Sequence, residues 1–195
     1  MTDGAALPTH VGFEEAVRVD WFDAAELVGG LPGRLGLTFL PGKSGASTRY
    51  PGRAYLRDTA ADLSALRAEG VVRLVLLVDD DELARWGDPQ IIELGRAAGV
   101  DVRRHPLTDG AAPASHEAMV AILSDVDEAR SRGDVAVACM GGVGRSGTVA
   151  ACALVGGGRP ALEAIERVRE VRHPTAVETD VQQAFVRSFA ERTGG

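Results

Sequence analysis

Residues 139–148 read Cys-Met-Gly-Gly-Val-Gly-Arg-Ser-Gly-Thr, between a strand-like run and a helix-like one. These types at this spacing suit the capture of an anion and an attack on it. Gly141, Gly142 and Gly144 allow the backbone to curl so that successive N–H groups point inward, forming a nest for negative charge. A helix starting at the end of the loop adds its positive end to the same spot. Five residues separate Cys139 from Arg145, so the loop can close with a guanidinium facing the thiol across a phosphate-sized hole, two of its N–H groups matching two phosphoryl oxygens. Such a cradle favours thiolate over thiol and makes Cys139 a nucleophile at neutral pH. Met140, Gly141, Gly142, Val143, Gly144 and Arg145 are therefore the expected substrate-binding set. Ser146 could cap the helix, or its hydroxyl could stabilise the thiolate and its departure. Cys152 lies further along the same helix and reads as packing.

Attack on a phosphoryl group also needs an acid for the leaving oxygen. Asp109, between Thr108 and Gly110 in the stretch Arg104–Pro113, lies just after a strand-like run, as Cys139 does, so the two loops could open on one side of a sheet. There it can protonate the departing oxygen and then activate water; the plain alternative is a turn aspartate before glycine. Asp79, Asp80 and Asp81 head a helix and read as capping. Gly36–Ser44 ends in Gly-Lys-Ser with one residue too many for a nucleotide-binding loop, and Gly142–Val149 lacks its lysine. His105, His116 and His173 have no recognised ligand spacing. No metal and no cofactor is expected.

The elements that must position these residues alternate. Residues 1–12 carry turn residues without apolar period and read as a loose terminus, leaving 13–195 as a single domain. Leu35–Leu40 is an extended run and Pro41–Gly52 a loop. Asp58 can cap a helix that stops at Gly70. Val71–Val78 is a nearly unbroken β-branched and aliphatic run, broken only by Arg73, the mark of a strand covered on both faces. Helices follow at Glu82–Trp86 and Pro89–Ala98, then a strand at Val100–Pro106. Ser115 caps a helix to Arg130, Asp134–Cys139 is a buried strand, and Arg145–Val155 is helical. Pro160 fits the first turn of a helix ending near Val171, and Asp180–Ala190 supplies the last. Strands separated by helices imply an α/β fold with a mainly parallel sheet and helices on both faces.

These pieces carry a resemblance. Leu35–Lys43, the acid loop Pro106–Pro113, the cysteine loop 139–147 and Ala176–Phe185 resemble, in order and distance, the dual-specificity branch of the protein tyrosine phosphatases, most closely the cyclin-dependent-kinase-associated phosphatase group. The likeness spans roughly Arg34 to Phe189. It implies a protein tyrosine phosphatase-like fold and a phosphocysteine mechanism, with Cys139 as nucleophile, Arg145 as phosphate clamp, Ser146 as leaving-thiolate helper and Asp109 as general acid and base. Gln182 falls where the group carries a glutamine, although a solvent-facing helical residue is an equal reading. One departure concerns activity: the family has histidine before the cysteine, and here Ala138 stands there, which implies a higher thiol pKa and slower turnover.

Composition excludes other classes. A net charge of −7 and 21 dispersed basic residues lack the footprint of a nucleic-acid binder. No apolar run is long enough to span a membrane, and the first 20 residues lack a secretory pattern, so the expected location is cytoplasmic and no membrane partner is expected. Two cysteines are too few for a disulfide framework. The loop's lack of lysine favours a phosphorylated protein over a multiply phosphorylated lipid as substrate. Lys43, Arg49 and Arg53 could line its approach, or simply be solvated. A monomer is the default expectation. The rival reading is a phosphate-binding pseudoenzyme that captures phosphorylated protein without hydrolysing it.

Overall fold

The computed structural model describes residues 9–11, 17–47 and 51–193. Its main sheet has five strands: β2 (Asp20–Phe22), β3 (Leu35–Phe39), β6 (Val71–Leu76), β7 (Asp101–Arg104) and β8 (Asp134–Cys139). Their spatial order is β2-β3-β8-β6-β7, with β2 antiparallel at one edge and the other four parallel. The expected mainly parallel sheet is present, and β8, which ends in Cys139, is its centre.

The centre is covered on both sides, and its sequence shows why. Along β8, Val135, Val137 and Cys139 join one apolar cluster while Ala136 and Ala138 join the other; β6 divides in the same way, with Val75 facing one and Leu74 and Leu76 the other. Alternation with both parities apolar is what a doubly covered strand requires. The first cluster is completed by α4 (His116–Arg130), α5 (Arg145–Gly156), α6 (Ala161–Val171) and α7 (Asp180–Thr193), the second by α1 (Thr59–Ala68), α2 (Asp80–Trp86) and α3 (Ile91–Ala98).

The helix starts follow the capping residues. Asp58 accepts the Ala61 N–H at 2.7 Å and Ser115 the Ala118 N–H at 3.2 Å. Asp79 and Glu82 form a reciprocal capping box, so the acidic run at 79–81 heads α2 as expected. Pro160 sits at the N-cap of α6 rather than inside its first turn.

Three short strands depart from the sequence reading. β4 (Ser44–Ala46) lies within the stretch expected to be loop, β5 (Arg53–Leu56) follows it, and β1 (Thr9–Val11) lies in the expected loose terminus. Together they make a second sheet in the order β1-β5-β4. Strands of three and four residues rich in Gly, Ser and Arg have no alternation to read; partner strands decide them.

Leu37 is fully buried in β3, between β2 and β8. Leu37→Ala is expected to destabilise the protein by about 2–5 kcal/mol, read as a lowered urea midpoint with an unchanged slope.

Candidate active site

Ligand sites of open α/β sheets lie at the carboxyl ends of the strands. Here the parallel strands β3, β8, β6 and β7 each deliver a charged or nucleophilic side chain to that end. Lys43 follows β3, Cys139 ends β8, Glu82 lies in the first turn of α2 after β6, and Asp109 sits in the loop after β7. Lys43, Glu82, Trp86, Asp109 and Met140 share a cleft of ≈ 160 Å³ with Ala46 and Ser47.

The cysteine loop is curled as its glycines allow, and groups outside it fix the direction of the curl. Arg172 donates from Nη2 to the Gly141 carbonyl at 2.9 Å and from Nε to the Gly142 carbonyl at 2.8 Å. The Val177 N–H donates to the Val143 carbonyl at 3.3 Å, and the Thr148 hydroxyl to that of Gly144 at 2.9 Å. A trans peptide points its N–H opposite to its C=O. With these carbonyls drawn outward, the amides of Gly142, Val143 and Gly144 face the interior of the loop, where they form an anion nest. Gly142 is indispensable in this shape. Its φ is +72°, and a Cβ there would collide with the Thr38 carbonyl and lie 2.6 Å from Arg172 Nη2. Val177, a buried β-branched residue, is itself held at φ +59°, a conformation such residues rarely adopt.

Cys139 and Arg145 are both almost wholly buried. Burial alone would push the thiol pKa up. The Arg145 charge, the Ser146 hydroxyl and the backbone groups of Ser146 and Val143 outweigh it, so the thiol lies below its ordinary value. The Ser146 Oγ is 3.4 Å from the sulfur. Arg145 donates to Glu82 through both terminal nitrogens, at 2.5 and 2.8 Å, and to the Leu107 carbonyl at 2.9 Å. Its Nη2 lies 3.0 Å from Asp109 Oδ1. Its Nε is buried with no partner among the described residues, leaving a donor for an incoming anion. Burial works against the guanidinium charge, but Glu82, Cys139 and Asp109 reverse that and hold it firmly protonated.

The structure thus brings Cys139, Arg145, Ser146 and Asp109 together around the nest formed by residues 140–144. The sequence reading missed Glu82, which also closes the capping box of α2, and Arg172 with its anchor Asp20, paired at 2.6 Å. The even choice for Gln182 resolves against the solvent-facing alternative. It is fully buried, and its amide nitrogen donates to the Ala111 carbonyl at 3.1 Å while Thr179 Oγ1 holds the Gly110 carbonyl at 2.8 Å. The acid loop is therefore docked on the start of α7. Lys43 is half-buried in the cleft rather than solvated; Arg49 and the Arg53 side chain lie outside the described residues. Cys152 is buried in α5, and burial pushes its thiol up. His105 pairs with Asp125 at 2.7 Å and His116 stacks on Phe189, both away from the cysteine loop's contacts.

Loop amides, a lowered thiol and a buried guanidinium thus meet at the end of the central parallel strand. The model of the family described as "Polymorphic toxin system, DSP-PTPase phosphatase" matches residues 50–159, more than half of the 195-residue chain, and the protein belongs to that family. It is 27% identical over 163 residues to cyclin-dependent kinase inhibitor 3 of Rattus norvegicus, covering 81% of this chain and 72% of that protein. The Homo sapiens protein of the same name is 26% identical over the same length. Among solved structures, kinase-associated phosphatase with its catalytic-site cysteine replaced by serine superposes with a TM-score of 0.79 at 22% identity, over 93% of this chain and 98% of that one. Tk-PTP in its active form gives a TM-score of 0.65 at 31% identity, over 82% of this chain and 93% of that one. The chain thus lies in the dual-specificity branch of the protein tyrosine phosphatase superfamily, near the kinase-associated phosphatases. No helix among the described residues is long and apolar enough to cross a membrane.

Two outcomes follow from this geometry. Because the folded thiol is depressed, Cys139 stays reactive as pH falls until its own pKa is passed: iodoacetamide alkylation should show a midpoint below the ordinary 9.0, and Arg145→Met should move it upward. Gly142→Ala should lower stability by about 1–3 kcal/mol through its strained φ, read as a lowered melting temperature.

Proposed function

We propose that the protein is a cysteine-dependent phosphatase that hydrolyses phosphomonoesters in proteins, phosphotyrosine and, where pocket depth permits, phosphoserine or phosphothreonine, through a phosphocysteine intermediate. The observation that carries this reading is the buried Cys139 thiol at the end of the central strand, 3.4 Å from the Ser146 hydroxyl and subject to the charge of the buried Arg145, whose Nε has no partner among the described residues.

In the first step the Cys139 thiolate attacks phosphorus. An S–P bond forms, the P–O ester bond breaks, and Asp109 gives its proton to the departing oxygen. The inward amides of Gly142, Val143 and Gly144, with Arg145 Nε and Nη2, hold the equatorial oxygens as charge builds on them. For Nη2 to do so, Asp109 must leave its ion pair with Arg145, which frees the same carboxyl to turn toward the ester oxygen. In the second step Asp109 takes a proton from water, the water oxygen bonds to phosphorus and the S–P bond breaks. The Ser146 hydroxyl stabilises the thiolate that leaves. A free nucleophilic thiol is kept reduced in the cytoplasm, which is the compartment we assign, with residues 13–195 as one catalytic domain acting as a monomer.

Purified protein is expected to hydrolyse para-nitrophenyl phosphate in the presence of chelator. Cys139→Ser should abolish turnover, and Asp109→Asn should lower kcat by about 10²–10⁴-fold with little change in fold by circular dichroism. Turnover undiminished in Cys139→Ser would remove the mechanism; phosphate binding without hydrolysis at any pH would replace it with the capture module.

A further inference from the structure

Lys43 is not used by the chemistry above, yet its place is built with care. It follows β3 in a turn pinned at several points. Its N–H donates to the Leu40 carbonyl at 3.2 Å and its carbonyl accepts from the Arg57 N–H at 3.1 Å. The preceding Gly42, at φ +72°, donates its N–H to the buried Asp62 carboxylate at 2.9 Å, and Asp62 is paired with a buried Arg57. A turn fixed this way presents one side chain in one direction. The Lys43 Nζ lies 4.2 Å from the centroid of the Tyr55 ring, a cation–π contact that places the ammonium without neutralising it.

The charges around Lys43 are distributed unevenly. It shares the cleft with Glu82 and Asp109, but both carboxylates are directed at Arg145. Among the described residues no carboxylate pairs with Lys43. Burial pushes its pKa down, and the nearby Cys139 thiolate pulls it back. A half-buried ammonium with an aromatic on one side and no carboxylate paired to it among the described residues is poised for an anion that arrives from outside.

The position within the cleft says which anion. Arg145 and the loop amides lie where the phosphoryl group would sit, and Lys43, Trp86 and Met140 line the cleft that also holds Asp109. Asp109 must face the ester oxygen, so side chains sharing its part of the cleft face what lies beyond that oxygen. We propose that Lys43, seated on Tyr55, is a specificity-determining residue that binds a second anionic group on the leaving-group side of the substrate. In the phosphoprotein reading, on which this inference rests for its biological substrate, that group is the carboxylate of an acidic residue beside the phosphorylated one.

The test separates this subsite from the reaction. Binding of 3-carboxyphenyl phosphate and of 3-carbamoylphenyl phosphate, which differ in charge and hardly in shape, is measured calorimetrically with the Cys139→Ser protein. The carboxylate should bind about tenfold more tightly, the value of one charge-assisted hydrogen bond in a wet cleft. The preference should vanish in Cys139→Ser/Lys43→Met, whose fold is checked by circular dichroism. Equal binding of the two compounds by Cys139→Ser overturns the subsite, as does a preference that survives Lys43→Met. Equal weakening of both compounds by Lys43→Met, with the preference intact, would place the ammonium on the phosphoryl group instead and also overturn it. Wild-type hydrolysis of two phosphotyrosine peptides, with Glu or Gln beside the phosphotyrosine, then reads the substrate class. A carboxylate preference in the small compounds with neither peptide hydrolysed supports the subsite and overturns the phosphoprotein reading alone.

Discussion

A guanidinium taken almost wholly out of water must be met by groups that offset its charge, because an isolated buried ion costs several kcal/mol even after relaxation. Arg145, only 1% exposed, meets Glu82, Asp109, the Leu107 carbonyl and the Cys139 sulfur. Each fulfils a second task by being there. Glu82 grips both terminal nitrogens and fixes the plane of the fork. The sulfur ionises more readily because the guanidinium is its counter-charge. Asp109, 79% exposed, is the looser partner, and so the one that can leave without dismantling the rest. The site's reactivity and its ground-state order thus rest on the same charge balance.

The loop obeys a different constraint, that of buried backbone. Six atoms move together in each peptide, so whichever side captures the carbonyl decides where the amide points. Arg172 takes two carbonyls and the left-handed Val177 a third. Arg172 is itself held by Asp20 on the antiparallel edge strand β2, so an edge strand with no part in the chemistry bears on the shape of the anion nest. The strain at Val177 is sustained by the same packing: its neighbour Ala176 is fully buried, and a Cβ on Gly147 would lie 3.2 Å from the Val177 nitrogen.

What could be read beforehand follows from the range over which each signal acts. Val71–Leu76 and Asp134–Cys139 declare themselves as strands within six residues, and Asp58, Asp79 and Ser115 declare helix starts within four. The cysteine loop is legible because nucleophile, glycines and clamp are consecutive. Glu82 was hidden by a local role, since a glutamate at the third position of a capped helix is fully explained by the cap. Arg172 and Asp20 are 152 residues apart and meet only through the sheet. Gln182 could not be assigned a face because α7 has apolar residues on both sides of it, Val181 exposed and Val186 buried. The second sheet stayed unread because its strands are too short to carry a period.

The alanine before the nucleophile bears on how much of the thiol's acidity survives. Strand alternation turns the Ala138 side chain into the apolar cluster of Leu40, Leu74, Leu76 and Val78, while Cys139 belongs to the other face. The groups that acidify the sulfur, Arg145, Ser146 and Val143, all lie after it in the chain and reach it directly. What position 138 does contribute is backbone. Its carbonyl accepts the Leu77 N–H at 2.8 Å, the Leu77 carbonyl accepts the Leu107 N–H at 2.9 Å, and the Leu107 carbonyl accepts Arg145 Nη1 at 2.9 Å. This hydrogen-bonded path crosses the strand ends from the nucleophile's own strand to its counter-charge and fixes the chain two residues before Asp109. Any residue type can supply it, so alanine at position 138 leaves intact the register that sets the Cys139 sulfur, the Arg145 guanidinium and the Asp109 loop against one another.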